Sequence, residues 1–230
     1  FGQYLPHGFE TTLADLRQPL DYCAFNFYEG RRVTFDERTG PVQQPLPPGH
    51  PRTACDWPVM PDALYWGPRF LWERYHLPVL VTENGMSAHD VVSLDGQVHD
   101  PNRVDFMHRY LLALRRAADD GVDVAGYFAW SLLDNFEWSS GYRERFGLIY
   151  VDYATQARTP KDSGLWYQRI AETNGEALSW NGAGVPLAER PRFRYTGGRK
   201  KLRLLPFVRK GHASWKNRPN WRHWPKRLAR

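Results

Sequence analysis

Two short apolar runs in this chain each lead into an acid. Val79-Leu-Val-Thr82 runs straight into Glu83 and Asn84, and the run from Val122 to Trp130 is followed by Asn135-Phe-Glu-Trp138. Short apolar runs rich in β-branched and aromatic residues predict buried strands. A third strand is predicted over residues 21–28, ending at Tyr28. Between the strands the period changes. Val104, Met107, Leu111, Leu114 and Ala118 recur at three- and four-residue steps, which predicts a helix capped by Asp100, opened by Pro101 and ended by Gly121. A looser apolar set, Leu64, Phe70, Leu71 and Tyr75, predicts a helix starting near Pro61. A last helix is predicted from Thr159-Pro160 to Asn174-Gly175. Residues 31–58 are rich in Pro and Gly and read as one long loop ending at Cys55-Asp-Trp-Pro58; such loops often carry function.

Strands alternating with helices predict the α/β class, with parallel strands joined by helical crossovers. Three such units fit an open sheet or part of a barrel. The unusual residues favour the barrel, because they gather at the C-terminal strand ends: Asn26 and Tyr28, then Glu83 and Asn84, then Trp130. In a (β/α)8 barrel the active-site groups collect at that rim. The expected fold is therefore α/β, a partial (β/α)8 barrel made of three βα units.

Charge divides the chain. The formal net charge of +6 conceals a break: residues 1–180 hold 16 Lys and Arg against 24 acids, and residues 181–230 hold 15 against Glu189 alone. The expectation is a barrel segment over 1–180 and a basic, largely unstructured tail over 181–230. The tail reads either as a polyanion-binding extension that would meet nucleic acid, or as non-native coding. Cys23 and Cys55 read as two unpaired thiols, and no Cys or His spacing suggests a metal site. No apolar run approaches the length of a membrane span, and Phe1-Gly-Gln-Tyr lacks the features of a leader, which says little in a chain that does not start with Met; the expected location is cytoplasmic.

Carboxylates beside indoles suit sugar chemistry, with an acid for bond breaking and flat apolar faces for a pyranose ring. The motifs sharpen this. Thr82-Glu-Asn-Gly85 follows an aliphatic strand; Trp130-Ser131 is followed by Asn135-Phe-Glu-Trp138, Gly141-Tyr142 and Arg145-Phe-Gly147; then come Gly147-Leu-Ile-Tyr-Val-Asp152 and Thr159-Pro-Lys-Asp162, with Asn26-Phe-Tyr28 upstream. In this order they resemble the signatures of the retaining β-glycosidases of glycoside hydrolase family 1, over roughly residues 3–178. The resemblance implies that Glu83 is the catalytic nucleophile and that Tyr28 donates a hydrogen bond to it. It implies that Glu137 and Trp138 bond sugar hydroxyls, that Trp130 is the platform under the ring, that Phe146 shapes the same subsite, and that Asn26 lies near the ring or the nucleophile. The implied substrate is a β-glucoside or related β-glycoside, with no cofactor.

One element of the resemblance is missing. A retaining glycosidase uses a second carboxyl group as acid/base. The family carries it in an Asn-Glu-Pro motif on an earlier strand, and these 230 residues contain no Asn-Glu-Pro. The expectation is therefore the last three of eight βα units, with a missing N-terminal barrel half as partner. Unpaired sheet edges predict low stability for the chain alone. The rival reading is a non-catalytic fragment that binds sugar, or a protein acting on polyanions through its tail.

Overall fold

The computed structural model describes residues 18–179, together with Gly8 and Leu16. The tail predicted over 181–230 lies outside the described residues. Three parallel strands form the main sheet: β1 (Cys23–Asn26), β4 (Val79–Asn84) and β5 (Val124–Ala129), in that spatial order. Between the first two runs a hairpin of β2 (Val33–Asp36) and β3 (Gly40–Gln43), then helix α1 (Ala63–Tyr75). Helix α2 (Pro101–Asp119) joins β4 to β5. A small antiparallel pair, β6 (Ile149–Val151) and β7 (Arg158–Pro160), precedes α3 (Asp162–Glu172). The α/β class with parallel strands is therefore observed.

Alternation along β4 explains its placement. Val79 and Val81 are fully buried against α1 and α2, while Leu80 and Thr82 point to the other, partly open face. The apolar stripe of α2 (Phe106, Met107, Tyr110, Leu111, Leu114 and Ala117) meets these valines and Leu64 and Tyr65 of α1 in one core. Register then fixes the rim. Asn26 of β1 pairs with Glu83, and Asn84 pairs with Ala129, so the three strands deliver their C-terminal ends to one level.

Four expectations need correction. The loop predicted over 31–58 contains the β2–β3 hairpin. Asp36 turns it by accepting hydrogen bonds from the Arg38 and Thr39 amides at 3.0 and 2.8 Å, and Gly40 takes a φ of +79°. Of the apolar set Leu64, Phe70, Leu71 and Tyr75 in α1, Leu64 is buried and Leu71 partly so, but Phe70 and Tyr75 are exposed, and Tyr65 and Pro68 complete the buried face. Asp100 stands at the N-cap of α2 but makes no capping bond, because its carboxylate is taken by Ser163 and Arg103. Thr159 and Pro160 belong to β7 rather than α3, whose N-cap is Lys161. Pro160 survives in a strand because that strand is short and lies at the edge of a two-stranded ribbon.

The entries to α2 and α3 are tied by His99. Its Nδ1 is 2.8 Å from Asp162 and its Nε2 is 3.0 Å from Asp95. Hydrogen bonds to Asp162 and Asp95 raise the imidazole above its ordinary 6.5. The folded state thus binds the proton more tightly than the unfolded chain. The stabilisation is complete below pH 6.5 and is lost as pH rises through the raised value. Thermal melts are expected to show this loss above pH 6.5, and His99→Gln is expected to flatten that part of the profile.

Among the described residues, Cys23 and Cys55 are free, no group of His, Cys, Asp and Glu is set to hold a metal, and no helix is long and apolar enough to cross a membrane.

Candidate active site

Glu83 is the penultimate residue of β4, where the strand fixes its backbone and the loop beyond leaves its carboxylate half-open. The Tyr28 hydroxyl donates to Glu83 Oε2 at 2.7 Å. Burial, that hydrogen bond and the charges of Glu83 and Glu137 push the Tyr28 phenol far up, so it stays a donor. Its ring is held in turn. Trp57 packs edge-on at 5.1 Å, Phe146 lies at 6.3 Å, and the Tyr110 hydroxyl of α2 donates to the Tyr28 carbonyl at 3.1 Å. Tyr110 also accepts from the Met60 amide, and burial raises its phenol to about 12.

The neighbouring strand brings the indole. The Trp130 amide donates to the Asn84 carbonyl at 2.9 Å. Asn84 is fully buried; its amide donates to the Phe27 carbonyl at 2.7 Å, and its oxygen accepts from the Tyr127 hydroxyl at 2.8 Å. The Trp130–Ser131 peptide bond is cis. The Trp130 indole and the Glu137 carboxylate are electrostatic neighbours. Burial pushes the Glu137 carboxyl up, the indole opposes this, and the charges of Glu83 and Glu144 add to the rise. Glu137 therefore feels both Glu83 and Tyr28 electrostatically.

Of the seven residues read from the sequence, Tyr28, Glu83, Trp130 and Glu137 form one connected group. Phe146 is buried, and it shapes this group from behind by packing on Tyr28 and Trp57. Asn26 is level with Glu83, but its oxygen is engaged by the Thr82 hydroxyl at 2.6 Å. Trp138 is 82% exposed on a 3-10 turn (Trp138–Ser140), with its indole free to meet a ligand from solvent. The sequence reading gave no role to Trp57 or Tyr110, and it placed Asn84 at the rim without its buried bonding role. Trp57 had a signal, since it closes the long loop that was marked for function.

The chain resembles known proteins over most of its described length. The family model described as Glycosyl hydrolase family 1 matches residues 4–176. Beta-glucosidase A of Thermotoga maritima is 41% identical over 174 residues, which is 75% of this chain and 39% of that protein. A bifunctional beta-D-glucosidase/beta-D-fucosidase of Bifidobacterium breve is 44% identical over 173 residues, 67% of this chain and 38% of that one. Among solved structures, the beta-glucosidase from Thermotoga maritima in complex with glucoimidazole superposes with a TM-score of 0.69 at 41% identity, covering 76% of this chain and 40% of that chain. The chain thus spans about two fifths of the length of the relatives it matches.

Proposed function

The chain belongs to glycosyl hydrolase family 1, and on that premise we propose that it carries the nucleophile side of a retaining β-glucosidase site. Glu83 attacks the anomeric carbon, the bond to the aglycone oxygen breaks, and a glycosyl ester forms that water later cleaves. Tyr28 holds the attacking carboxylate in place. Trp130 lies under the sugar ring, Glu137 and Trp138 take its hydroxyls, Phe146 backs the subsite, and Asn26 borders it. The substrate class is β-glucosides or related β-glycosides, in keeping with the activities named for the relatives. Strands β1, β4 and β5 act as three of the eight strands of a (β/α)8 barrel. The remaining strands and the acid/base carboxyl come from a further polypeptide segment. The barrel portion is assigned to residues 1–180, and the basic segment 181–230 has no part in the proposed chemistry.

The observation that carries this reading is the 2.7 Å hydrogen bond from Tyr28 to Glu83, beside the Trp130–Glu137 pair, at the C-terminal ends of parallel strands. The test is mechanism-based trapping. Incubation with a 2-deoxy-2-fluoroglucoside bearing a good leaving group is expected to leave an ester on the peptide containing Glu83, read by mass spectrometry. Intact protein without label, still binding glucose analogues by calorimetry, would turn the assignment to a non-catalytic sugar binder. Tyr28→Phe removes one hydrogen bond to a charged group, worth about 1.5–3 kcal/mol. The trapping rate is then expected to fall by roughly ten- to a hundred-fold.

A further inference from the structure

Six charged side chains meet beneath the loops that leave β4 and β5. Arg103 is 1% exposed, and Lys161, Asp90, Asp100 and Asp134 are buried beside it, with Arg145 at the margin. Three cations face three carboxylates, so the cluster is neutral as a whole. Arg103 donates to Asp90 at 2.7 and 3.2 Å, to the Met86 carbonyl at 3.1 Å and to the Arg145 carbonyl at 2.9 Å, and it also bonds Asp100. Lys161 reaches Asp90 at 2.5 Å and Asp134 at 2.7 Å. Net stabilisation is a poor reason for such a cluster, because desolvating buried ion pairs consumes most of their attraction. Fixed geometry is a better one.

Asp134 is the node. Its two oxygens accept from Lys161 Nζ, from Arg145 Nη1 at 2.6 Å, and from the amides of Gly147 at 2.9 Å and Val151 at 3.3 Å. Arg145 and Gly147 lie at the far end of the excursion that carries Glu137 and Trp138. One carboxylate therefore closes both ends of that excursion. Gly147 approaches so closely that a Cβ there would stand 2.2 Å from the Asp134 amide nitrogen. Lys161 then links the node to Asp90, on the loop that leaves Glu83.

We propose that Asp134 is a positioning residue, whose carboxylate clamps the excursion that carries Glu137 and so sets where a sugar hydroxyl is met relative to Trp130 and Glu83. The functional meaning rests on the reading of Glu137 given above; the positioning itself does not. Asp134→Asn keeps the shape but turns an NH₂ group toward a cationic donor. Arg145→Lys, at the less buried edge, keeps the charge but loses the planar guanidinium that lies over the Tyr150 and Tyr153 rings at 4.1 and 4.5 Å.

The experiment uses the full ¹⁵N-labelled chain and two readouts. The first is amide exchange at Glu137, bonded to the Gly141 carbonyl at 2.7 Å, and at Gly141. The second is the Trp130 indole N–H resonance, identified with Trp130→Phe. In Asp134→Asn, exchange at Glu137 and Gly141 is expected to rise about ten-fold relative to amides of α2, as local rather than global opening. The Trp130 resonance is expected to shift as the excursion beside it loosens. Exchange that rises only in step with α2, or an unmoved indole resonance, overturns the proposal. If Asp134→Asn does not fold, Arg145→Lys decides by the same two readouts. No sugar is needed, so failure of Glu83 trapping together with a displaced indole would reject the hydrolase reading and leave the positioning role standing.

Discussion

Assayed as the 230-residue chain, the protein is expected to release an activated aryl leaving group from a β-glucoside and to leave cellobiose almost untouched. The reason is proton supply. An aryl phenolate with electron-withdrawing groups departs as an anion, whereas a sugar alkoxide must be protonated as its bond breaks. In a retaining enzyme that proton comes from a second carboxyl group about 5–5.5 Å from the nucleophile. The family motif that would carry it, Asn-Glu-Pro, does not occur in these residues. Loss of general acid help is worth about 10²–10⁴ in rate. The measurement is kcat/KM for dinitrophenyl β-glucoside against cellobiose, followed by chromophore and by free glucose. Comparable rates would mean that an acid resides within the chain. Glu137 would then be the candidate, since burial and the neighbouring charges of Glu83 and Glu144 raise its carboxyl. Glu137→Gln separates the roles. A general acid would be missed by cellobiose and not by the aryl glucoside; a hydroxyl-binding group would be missed by both.

What the sequence disclosed, and what it withheld, follows from the range over which each feature is determined. Glu83 and Trp130 were legible because a strand and its exit are local, and the register of parallel strands carries both to the same rim. The buried face of α2 was legible in part: Met107, Leu111 and Leu114 lie in the core, whereas Val104 and Ala118 are only partly buried and Phe106, Tyr110 and Ala117 complete the stripe. Local signals misled where a second partner competes for the same atoms. Asp100 has the residue type and place of a cap, yet Ser163, 63 positions later, takes its carboxylate. Pro160 looks like the start of a helix, but β6 claims it as a strand partner. Phe146 was read as shaping the subsite, and its packing on Trp57 and Tyr28 shows through which rings it would do so. The buried charge cluster was invisible because Asp90, Arg103, Asp134 and Lys161 lie on four separate segments and meet only after folding. The hairpin β2–β3 did have a signal, Asp36 to Gly40, that Pro and Gly content obscured.

Gly85→Ala is expected to damage both the fold and the site, and the cause is space rather than backbone conformation. A Cβ on Gly85 would stand 1.8 Å from the Trp130 carbonyl oxygen and 2.9 Å from its carbon. Those are backbone atoms, so no side chain can swing aside to make room. The strands cannot part easily either, because the Trp130 amide is bonded to the Asn84 carbonyl one residue earlier, and Asn84 is locked by Phe27 and Tyr127. Overpacking of this kind costs about 3 kcal/mol or more when the neighbour is rigid. Gly96→Ala is the matched control. Gly96 has a φ of +77° and nothing within 4 Å of a new Cβ. It pays only the left-handed penalty of about 1–2 kcal/mol. Urea unfolding of both variants is expected to give a clearly lower midpoint for Gly85→Ala at an unchanged slope. The same variant should trap the fluoroglucoside far more slowly even in the absence of urea, because relieving the clash moves the Trp130 platform away from Glu83. Equal midpoints for the two variants, or trapping at the parent rate, would show that the Gly85 turn does not hold the indole where the chemistry needs it.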